Sequence, residues 1–125
     1  MKLRIEDIPV IMEGPGTLMR RQKGLGDMDL GYMELPQGAD FAPMLAGLVN
    51  DSCACPHWGY ILEGEFLISY DDGHEELLTQ GDLFYLPPGH TARAESDLKC
   101  IMFSPDQLHG QVLDHALAKM AEMEE

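Results

Sequence analysis

Two cysteines and a histidine, all capable of binding a metal, recur at every second position in one short segment. Cys53, Cys55 and His57 lie in the run Asp-Ser-Cys-Ala-Cys-Pro-His-Trp-Gly-Tyr-Ile-Leu-Glu-Gly, residues 51–64. In an extended backbone alternate side chains point to the same face, so these three would project together. Thiolate and imidazole groups are ligands that suit zinc, iron and copper. The spacing therefore predicts the beginning of a metal site.

A metal site also needs a donor from another part of the chain, and His90 is the best placed by sequence. It closes the run Gly-Asp-Leu-Phe-Tyr-Leu-Pro-Pro-Gly-His, residues 81–90. The alternative interpretation is structural, because buried cysteines often act as small hydrophobic residues and a single histidine often only satisfies a hydrogen bond. Spacing alone leaves both interpretations open.

The composition is that of a folded, strongly acidic protein. The chain has 125 residues, of which 24% are charged and 45% hydrophobic, and its formal net charge is −14. This length is enough for one domain with its own core, and the composition argues against disorder. So acidic a surface repels the phosphate backbone of nucleic acids. No window approaches the roughly 18 apolar residues that span a bilayer, so neither nucleic acid nor membrane is an expected partner.

The cysteine usage and the first residues indicate a cytoplasmic protein. There are three cysteines, and the Cys-x-Cys pair is too tight for an easy disulfide. In a reducing compartment such a pattern favours metal or redox chemistry over a structural crosslink. The N-terminal residues carry scattered charges and lack the apolar core of a signal peptide. The short basic run at 20–23 is expected to be a solvated strand face.

Short extended runs, separated by glycine and proline turns, fill the chain up to about residue 103. The predicted strands are 3–12, 17–23, 28–33, 41–49, 58–63, 66–70, 75–78, 83–86, 91–95 and 98–103. The run 58–63 is apolar enough to be buried on both faces, and Asp71-Asp-Gly73 is the strongest hairpin turn. Many short strands with turn residues between them indicate a β-sandwich or a small barrel.

The last segment has a helical pattern instead. Ser104 is the predicted N-cap of a helix over about residues 105–123, with proline next and glutamine three residues on. Apolar residues then recur every three or four positions, at Leu108, Val112, Ala116, Met120 and Met123. This stripe either covers the barrel of its own chain or contributes to a homodimer. His109 and His115 are expected to be solvated or interfacial.

The two segments together resemble the motifs of the cupin superfamily, whose members are small double-stranded β-helix barrels. Gly64 matches the glycine that closes the family's first motif, and Gly81, Pro87 and Gly89 match the second motif at its spacing. The resemblance covers about residues 51–95. It implies an all-β jelly-roll barrel over about residues 1–103 with a C-terminal α-helix, in a single domain, 1–125. It also implies a homodimer that pairs through its sheets.

The usual metal ligands of that family, three histidines and a glutamate, are not kept. The histidines of the first motif fall on Asp51 and Cys53, and its glutamate falls on His57. The histidine of the second motif falls on Ala92, which would share a strand face with His90 two residues earlier. A different donor set is therefore predicted, consisting of Cys53, Cys55, His57 and His90.

Three functions remain open from the sequence. The first is a metal-binding cupin that holds a divalent ion, zinc or iron, in the barrel and acts on or senses a small molecule. The second is a metal-free cupin that binds a small ligand without catalysis. The third is an interaction domain whose partner surface is the methionine-rich C-terminal helix. Four protein ligands would close the site, whereas three leave a position for water or substrate. The fold does not choose among these functions.

Overall fold

Two antiparallel β-sheets enclose the hydrophobic core, and a C-terminal helix packs beside them. The computed structural model describes residues 1–123, so the last two residues of the predicted domain lie outside it. The elements are β1 (Val10–Gly14), β2 (Thr17–Leu25), β3 (Met28–Leu35), α1 (Ala42–Leu45), β4 (His57–Glu63), β5 (Glu65–Tyr70), β6 (Glu75–Thr79), β7 (Leu83–Leu86), β8 (His90–Ala94), β9 (Leu98–Pro105) and α2 (Asp106–Met123). Short 3-10 turns cover Ile5–Asp7 and Val49–Asp51.

The larger sheet has the strand order β1-β2-β3-β9-β4-β7, and the smaller one has the order β6-β5-β8. Side chains from the inner faces of both sheets form one buried cluster. Its members are Met33, Leu35, Ile61, Phe66, Ile68, Leu78, Phe84, Leu86, Ala92, Ala94, Leu98, Cys100 and Met102. Sheets packed in this way form a jelly-roll barrel. The predicted all-β class with a C-terminal helix is therefore confirmed.

Most predicted strands occur within one or two residues of their expected limits. The predicted hairpin is present, since β5 pairs with β6 and Gly73 in the connecting turn has a φ of +92°. The strand β4 differs from its prediction, because Trp58 and Tyr60 on alternate positions are exposed. Only one face of β4 therefore packs into the core. No helix within residues 1–123 combines the length and apolar character that crossing a membrane requires.

Two predicted strands near the beginning of the chain were wrong in whole or in part. The run 41–49 contains the short helix α1, whose start is stabilised by the Asp40 carboxylate accepting a hydrogen bond from the Ala42 amide, at 2.9 Å. The helix ends at Leu45, since Ala46 has a ψ of 132° and Gly47 has a φ of +96°. The run 3–12 holds a 3-10 turn, and strand pairing begins only after Pro9, at Val10.

The predicted N-cap at Ser104 was also wrong. Strand β9 continues through this residue, because Ser104 pairs with Asp29 and Pro105 pairs with Met28 of β3. Helix α2 begins only at Asp106. The Ser104 side chain is consequently free to point into the barrel, where it meets His57.

Gly64, which separates β4 from β5, is a position that only glycine fits. Its φ is +88°, in the region that favours glycine, and an added Cβ would collide with the carbonyl oxygen of Asp97. At Gly64 the chain passes from the larger sheet to the smaller one, and its backbone lies against the backbone of Asp97. Gly73 has a similar φ of +92°, but open space surrounds its Cα.

We expect Gly64→Ala to lower the free energy of unfolding by about 3 kcal/mol or more, since backbone strain and steric overlap add. The matched variant Gly73→Ala has the backbone strain without the steric overlap, so it should lower the free energy of unfolding by only about 1 kcal/mol. Urea denaturation of the two variants measures the difference. Equal losses in both would contradict the close backbone approach at Gly64.

Candidate metal centre

A backbone bridge between Cys53 and His90 joins the two segments that the sequence singled out. The Cys53 amide donates to the His90 carbonyl oxygen at 2.7 Å, and the Gly89 amide donates to the Cys53 carbonyl oxygen at 2.8 Å. These bonds hold the loop before β4 against the start of β8. The two segments therefore meet at the end of the barrel where both strands begin.

Cys53, His57 and His90 lie together at this point. Each offers a donor atom that lies within 4.8 Å of the donor atoms of the other two. Cys53 Sγ lies 3.6 Å from His57 Nε2. All three residues are buried, none being more than 6% exposed. Three of the four predicted ligands are thus close enough to share one ion.

Both imidazoles are held through Nδ1, which leaves Nε2 for the shared space. His90 Nδ1 donates to the carbonyl oxygen of Pro87 at 2.8 Å. His57 Nδ1 lies 2.6 Å from the hydroxyl oxygen of Ser104, and it carries the proton when Nε2 accepts from the Cys53 thiol. Metal-binding histidines usually have such an oxygen partner on the second ring nitrogen, because it fixes the tautomer and the ring orientation.

The structure does not bring Cys55 into this group. The residue is fully buried, and its thiol lies 3.4 Å from the carbonyl oxygen of Pro56. It packs with Leu45 and Cys53 in a small apolar cluster. Burial, with the nearby Cys53 and Asp29 charges, raises the pKa of the Cys55 thiol to about 12. The role of Cys55 as a ligand stays a prediction.

Burial keeps the three clustered side chains neutral when no ion is bound. It raises the pKa of the Cys53 thiol, and it lowers the pKa of the His90 imidazole. The pKa of His57 is lowered well below its usual value, first by burial and then by the charges that His109 and His90 would carry. Neutral imidazoles are ready to bind a metal, whereas the thiol must give up its proton to the solvent when an ion enters.

His109, which the sequence analysis placed at the surface, lies inside the protein. It is 8% exposed, and its ring centroid is 5.2 Å from that of His57, the same separation as between His57 and His90. The expectation that His109 is solvated was therefore wrong. One signal was available, since His109 lies three and four residues before Val112 and Leu113 and so shares their helix face. His115 is partly buried and bonds to the carbonyl oxygen of Ala46.

A buried ion pair holds His109 in place. His109 Nδ1 donates to Asp29 Oδ2 at 2.7 Å, and Arg21 Nε donates to the same oxygen at 2.7 Å. Arg21 also bonds to the carbonyl and carboxylate oxygens of Asp106, at 2.9 and 2.8 Å. The expected solvated face at 20–23 is therefore wrong for Arg21, which faces inward and ties the start of α2 to the sheet.

The cluster opens onto a cavity of about 90 Å³ under helix α2. Its polar lining consists of Cys53, the three histidines His57, His90 and His109, and Thr91. The remaining lining is apolar: Ile11, Met19, Met33, Phe41, Met44, Leu45, Phe66, Leu86, Ala92, Met102, Val112, Leu113, Ala116, Leu117 and Met120. Val112, Ala116 and Met120 of the predicted stripe thus cover the barrel of their own chain, as one of the two alternatives predicted, whereas Leu108 and Met123 are exposed.

Several solved structures share this architecture. An RmlC-like cupin from Shewanella frigidimarina is 22% identical, with a TM-score of 0.57 over 82% of this chain and 88% of the other. The fold is that of a cupin. A protein of unknown function from Rhizobium leguminosarum has a TM-score of 0.61 at 19% identity, covering 83% and 93% of the two chains. Ectoine synthase from P. lautus has a TM-score of 0.60 at 17% identity, over 85% of this chain and 78% of the other.

No family model matches the sequence, and no curated protein matched it in the search. The cupin resemblance inferred from Gly64, Gly81, Pro87 and Gly89 is confirmed at the level of the fold. At sequence identities of 22% or less, these structures show only the fold of this chain. Its metal ligands have to be inferred from its own residues.

We expect the metal-free protein to lose stability as the pH falls from about 7.5 to 5.5. His57 titrates near pH 6.5 in the unfolded chain, but its lowered pKa keeps it neutral in the folded state. The unfolded state therefore binds more protons in this range, and His57 alone removes about 1.4 kcal/mol of unfolding free energy. Denaturation at several pH values, after treatment with a chelator, measures the effect.

The variant His57→Asn keeps a donor for Ser104 but cannot titrate, so its stability should vary less with pH. If the unfolding free energy of His57→Asn varied with pH as in the wild type, His57 would bind its proton as tightly in the folded state as in the unfolded state, which would contradict the prediction.

Proposed function

We propose that the protein binds one divalent metal ion, zinc or iron, through Cys53, His57 and His90, and that a small molecule occupies the cavity beside it. One observation carries this proposal: three donor atoms from distant parts of the chain converge within 4.8 Å of one another in a buried site. The donor types support zinc or iron, since thiolate and imidazole bind these ions better than magnesium or calcium.

The surroundings of the three donors fit a metal ion. Ser104 and Pro87 orient the two imidazoles, and neither ring has to change its hydrogen bond at Nδ1 to present Nε2. Three protein ligands leave a coordination position for water or a bound molecule. A bound divalent ion would act there as a Lewis acid, polarising an oxygen of that molecule.

The chain itself provides the enclosure for such a molecule. Val112, Leu113 and Met120 of α2 cover the cavity from one side, and Met44 and Leu45 of α1 line it as well. An apolar enclosure excludes water and favours a ligand that buries its own apolar surface. Solved neighbours include enzymes that are named for small-molecule reactions, ectoine synthase and the polyketide cyclase RemF, which supports the same use of the fold here.

A metal-free binding site is the second candidate, and the protonation states favour it. The lowered pKa values of His57 and His90 and the raised pKa of the Cys53 thiol make all three side chains neutral without an ion. The site therefore carries no uncompensated charge when it is empty. The three cysteines are free, which supports the expected cytoplasmic location for either candidate.

We expect protein treated with a chelator to take up about one zinc ion per chain. Cys53→Ala and His57→Ala each remove a ligand and should weaken zinc binding at least about 100-fold, which is more than the loss of a residue that only orients a ligand would cause. Ser104→Ala removes only the hydroxyl at His57 Nδ1 and should weaken binding about 10- to 100-fold. Elemental analysis and a competition titration with a coloured chelator measure both effects.

Two other buried cysteines provide matched controls. Cys100→Ala changes the core of the barrel, and Cys55→Ala changes the residue next but one to Cys53. Both variants should keep the wild-type zinc affinity if the donor set is Cys53, His57 and His90. Loss of zinc in Cys55→Ala would replace this set by the four-ligand set predicted from the sequence. No zinc or iron uptake by the wild type would leave the metal-free candidate.

A patch of exposed apolar side chains supports the expected homodimer. The patch lies on the outer face of β4, β7 and β9, three adjacent strands, and consists of Trp58, Tyr60, Leu83, Tyr85 and Phe103. These side chains are 39% to 82% exposed, and Trp58 stacks on Tyr85 at 5.2 Å. A contiguous apolar surface of this kind marks an interaction site, and a second copy of the chain offers the same surface.

We expect the wild type to be a dimer and Tyr85→Glu to be a monomer in light scattering, because the variant would bury a charge within the patch. Leu77→Glu is the matched control, since Leu77 is similarly exposed on β6 of the other sheet. A monomeric wild type, or equal effects of the two variants, would contradict an interface at this patch.

A further inference from the structure

His109 is a polar side chain on the cavity wall that the proposed metal centre does not use. It lies outside the group of three donors that come within 4.8 Å of one another. It is nevertheless buried, lines the cavity, and packs edge-on against the His57 ring at an interplanar angle of 73°. Helix α2 thus brings one imidazole to the boundary between the polar cluster and the apolar part of the cavity.

The ion pair between Asp29 and Arg21 fixes the orientation of the His109 ring. Asp29 is fully buried, and its Oδ2 atom accepts hydrogen bonds from both His109 Nδ1 and Arg21 Nε. Arg21 supplies the charge opposite to that of this carboxylate. In the neutral imidazole, Nδ1 carries the hydrogen and Nε2 remains as an acceptor. No hydrogen bond to Nε2 of His109 is present within residues 1–123.

The rest of the cavity restricts what can be bound there. No lysine, arginine, aspartate or glutamate of the described chain lines it, and the apolar lining includes five methionines. An ionised ligand group would lose its hydration without gaining a charged partner from these side chains. The net charge of −14 further disfavours anions. An apolar cavity of roughly 150 Å³ holds benzene, so about four or five non-hydrogen atoms suit this smaller one.

We propose that His109 is the residue that recognises the bound molecule. The ligand is a small uncharged compound with an apolar body of a few carbon atoms and one hydroxyl or N–H group, which donates a hydrogen bond to Nε2 of His109. Asp29 and Arg21 are positioning residues that hold the ring in this orientation. The inference deepens the proposed function by naming a ligand class, and it does not depend on the ion.

Three compounds of equal size test the ligand class. These are 2-methylpropan-1-ol, its isomer 2-methoxypropane, which cannot donate a hydrogen bond, and glycolate, in which a carboxylate replaces the branched alkyl end. We expect the alcohol to bind about three- to tenfold more tightly than the ether, the effect of one hydrogen bond, and glycolate not to bind. Titrations followed by NMR of the histidine ring nitrogens should show the shift at Nε2 of His109.

The variant His109→Asn keeps an amide in place of Nδ1 to bond Asp29 but removes the acceptor. It should bind the alcohol and the ether equally. The control His115→Gln lies on the same helix outside the cavity lining and should keep the wild-type preference. Equal binding of the two isomers by the wild type, a shift confined to other histidines, tighter binding of glycolate, or no binding of any compound would overturn the proposal.

The alcohol and the ether are titrated on chelator-treated and on zinc-loaded wild-type protein, and glycolate, which can itself bind zinc, on chelator-treated protein only. The metal content is measured in the same samples. A preference for the alcohol in protein that takes up no metal would support the role of His109 and contradict the proposed ion. Zinc uptake through Cys53 without any preference for the alcohol would support the proposed ion and contradict the role of His109.

Discussion

The pair of backbone hydrogen bonds between Cys53 and the Gly89–His90 segment is the constraint on which the rest of the site depends. It fixes an irregular loop to the first residue of β8, so that a thiol and an imidazole from distant parts of the chain share one space. His57, the first residue of β4, then completes the group from the neighbouring sheet. Because backbone bonds provide this constraint, it does not depend on which side chains the loop carries.

A second constraint comes from polar groups buried on the inner face of the larger sheet. Arg21 of β2 and Asp29 of β3 occupy positions that hydrophobic residues fill elsewhere in the barrel, and they connect to Asp106 and His109 of α2. Breaking one partner of such a network is costly, because the other charge is left without compensation. The network therefore fixes the position of α2, and with it the cover of the cavity, more specifically than apolar packing alone would.

Much of the fold followed from turn residues and the motif resemblance, because glycine and proline mark strand ends whatever surrounds them. Tertiary pairing decided the remaining details: β9 continues through Ser104 because Asp29 of β3 lies opposite it. In the site, alternation predicted that Cys53, Cys55 and His57 share one face, but only Cys53 and His57 lie in the group, because the chain bends at Cys55 and β4 begins only at His57. The position of His90, two residues before Ala92, kept the inward direction. For His109 the only sequence signal was its helix face, which it shares with Val112 and Leu113. The inward orientation of Arg21 escaped prediction because its partners, Asp29 and Asp106, belong to other elements.

The central claim is that one thiolate and at least two imidazoles bind the same ion at the mouth of a cupin barrel. X-ray absorption spectroscopy of the zinc-loaded protein tests it most directly, because sulfur and nitrogen ligands differ in distance. The account predicts a single sulfur at about 2.3 Å with nitrogen ligands at about 2.0 to 2.1 Å. Two sulfur ligands, or a first shell of oxygen and nitrogen only, would contradict it.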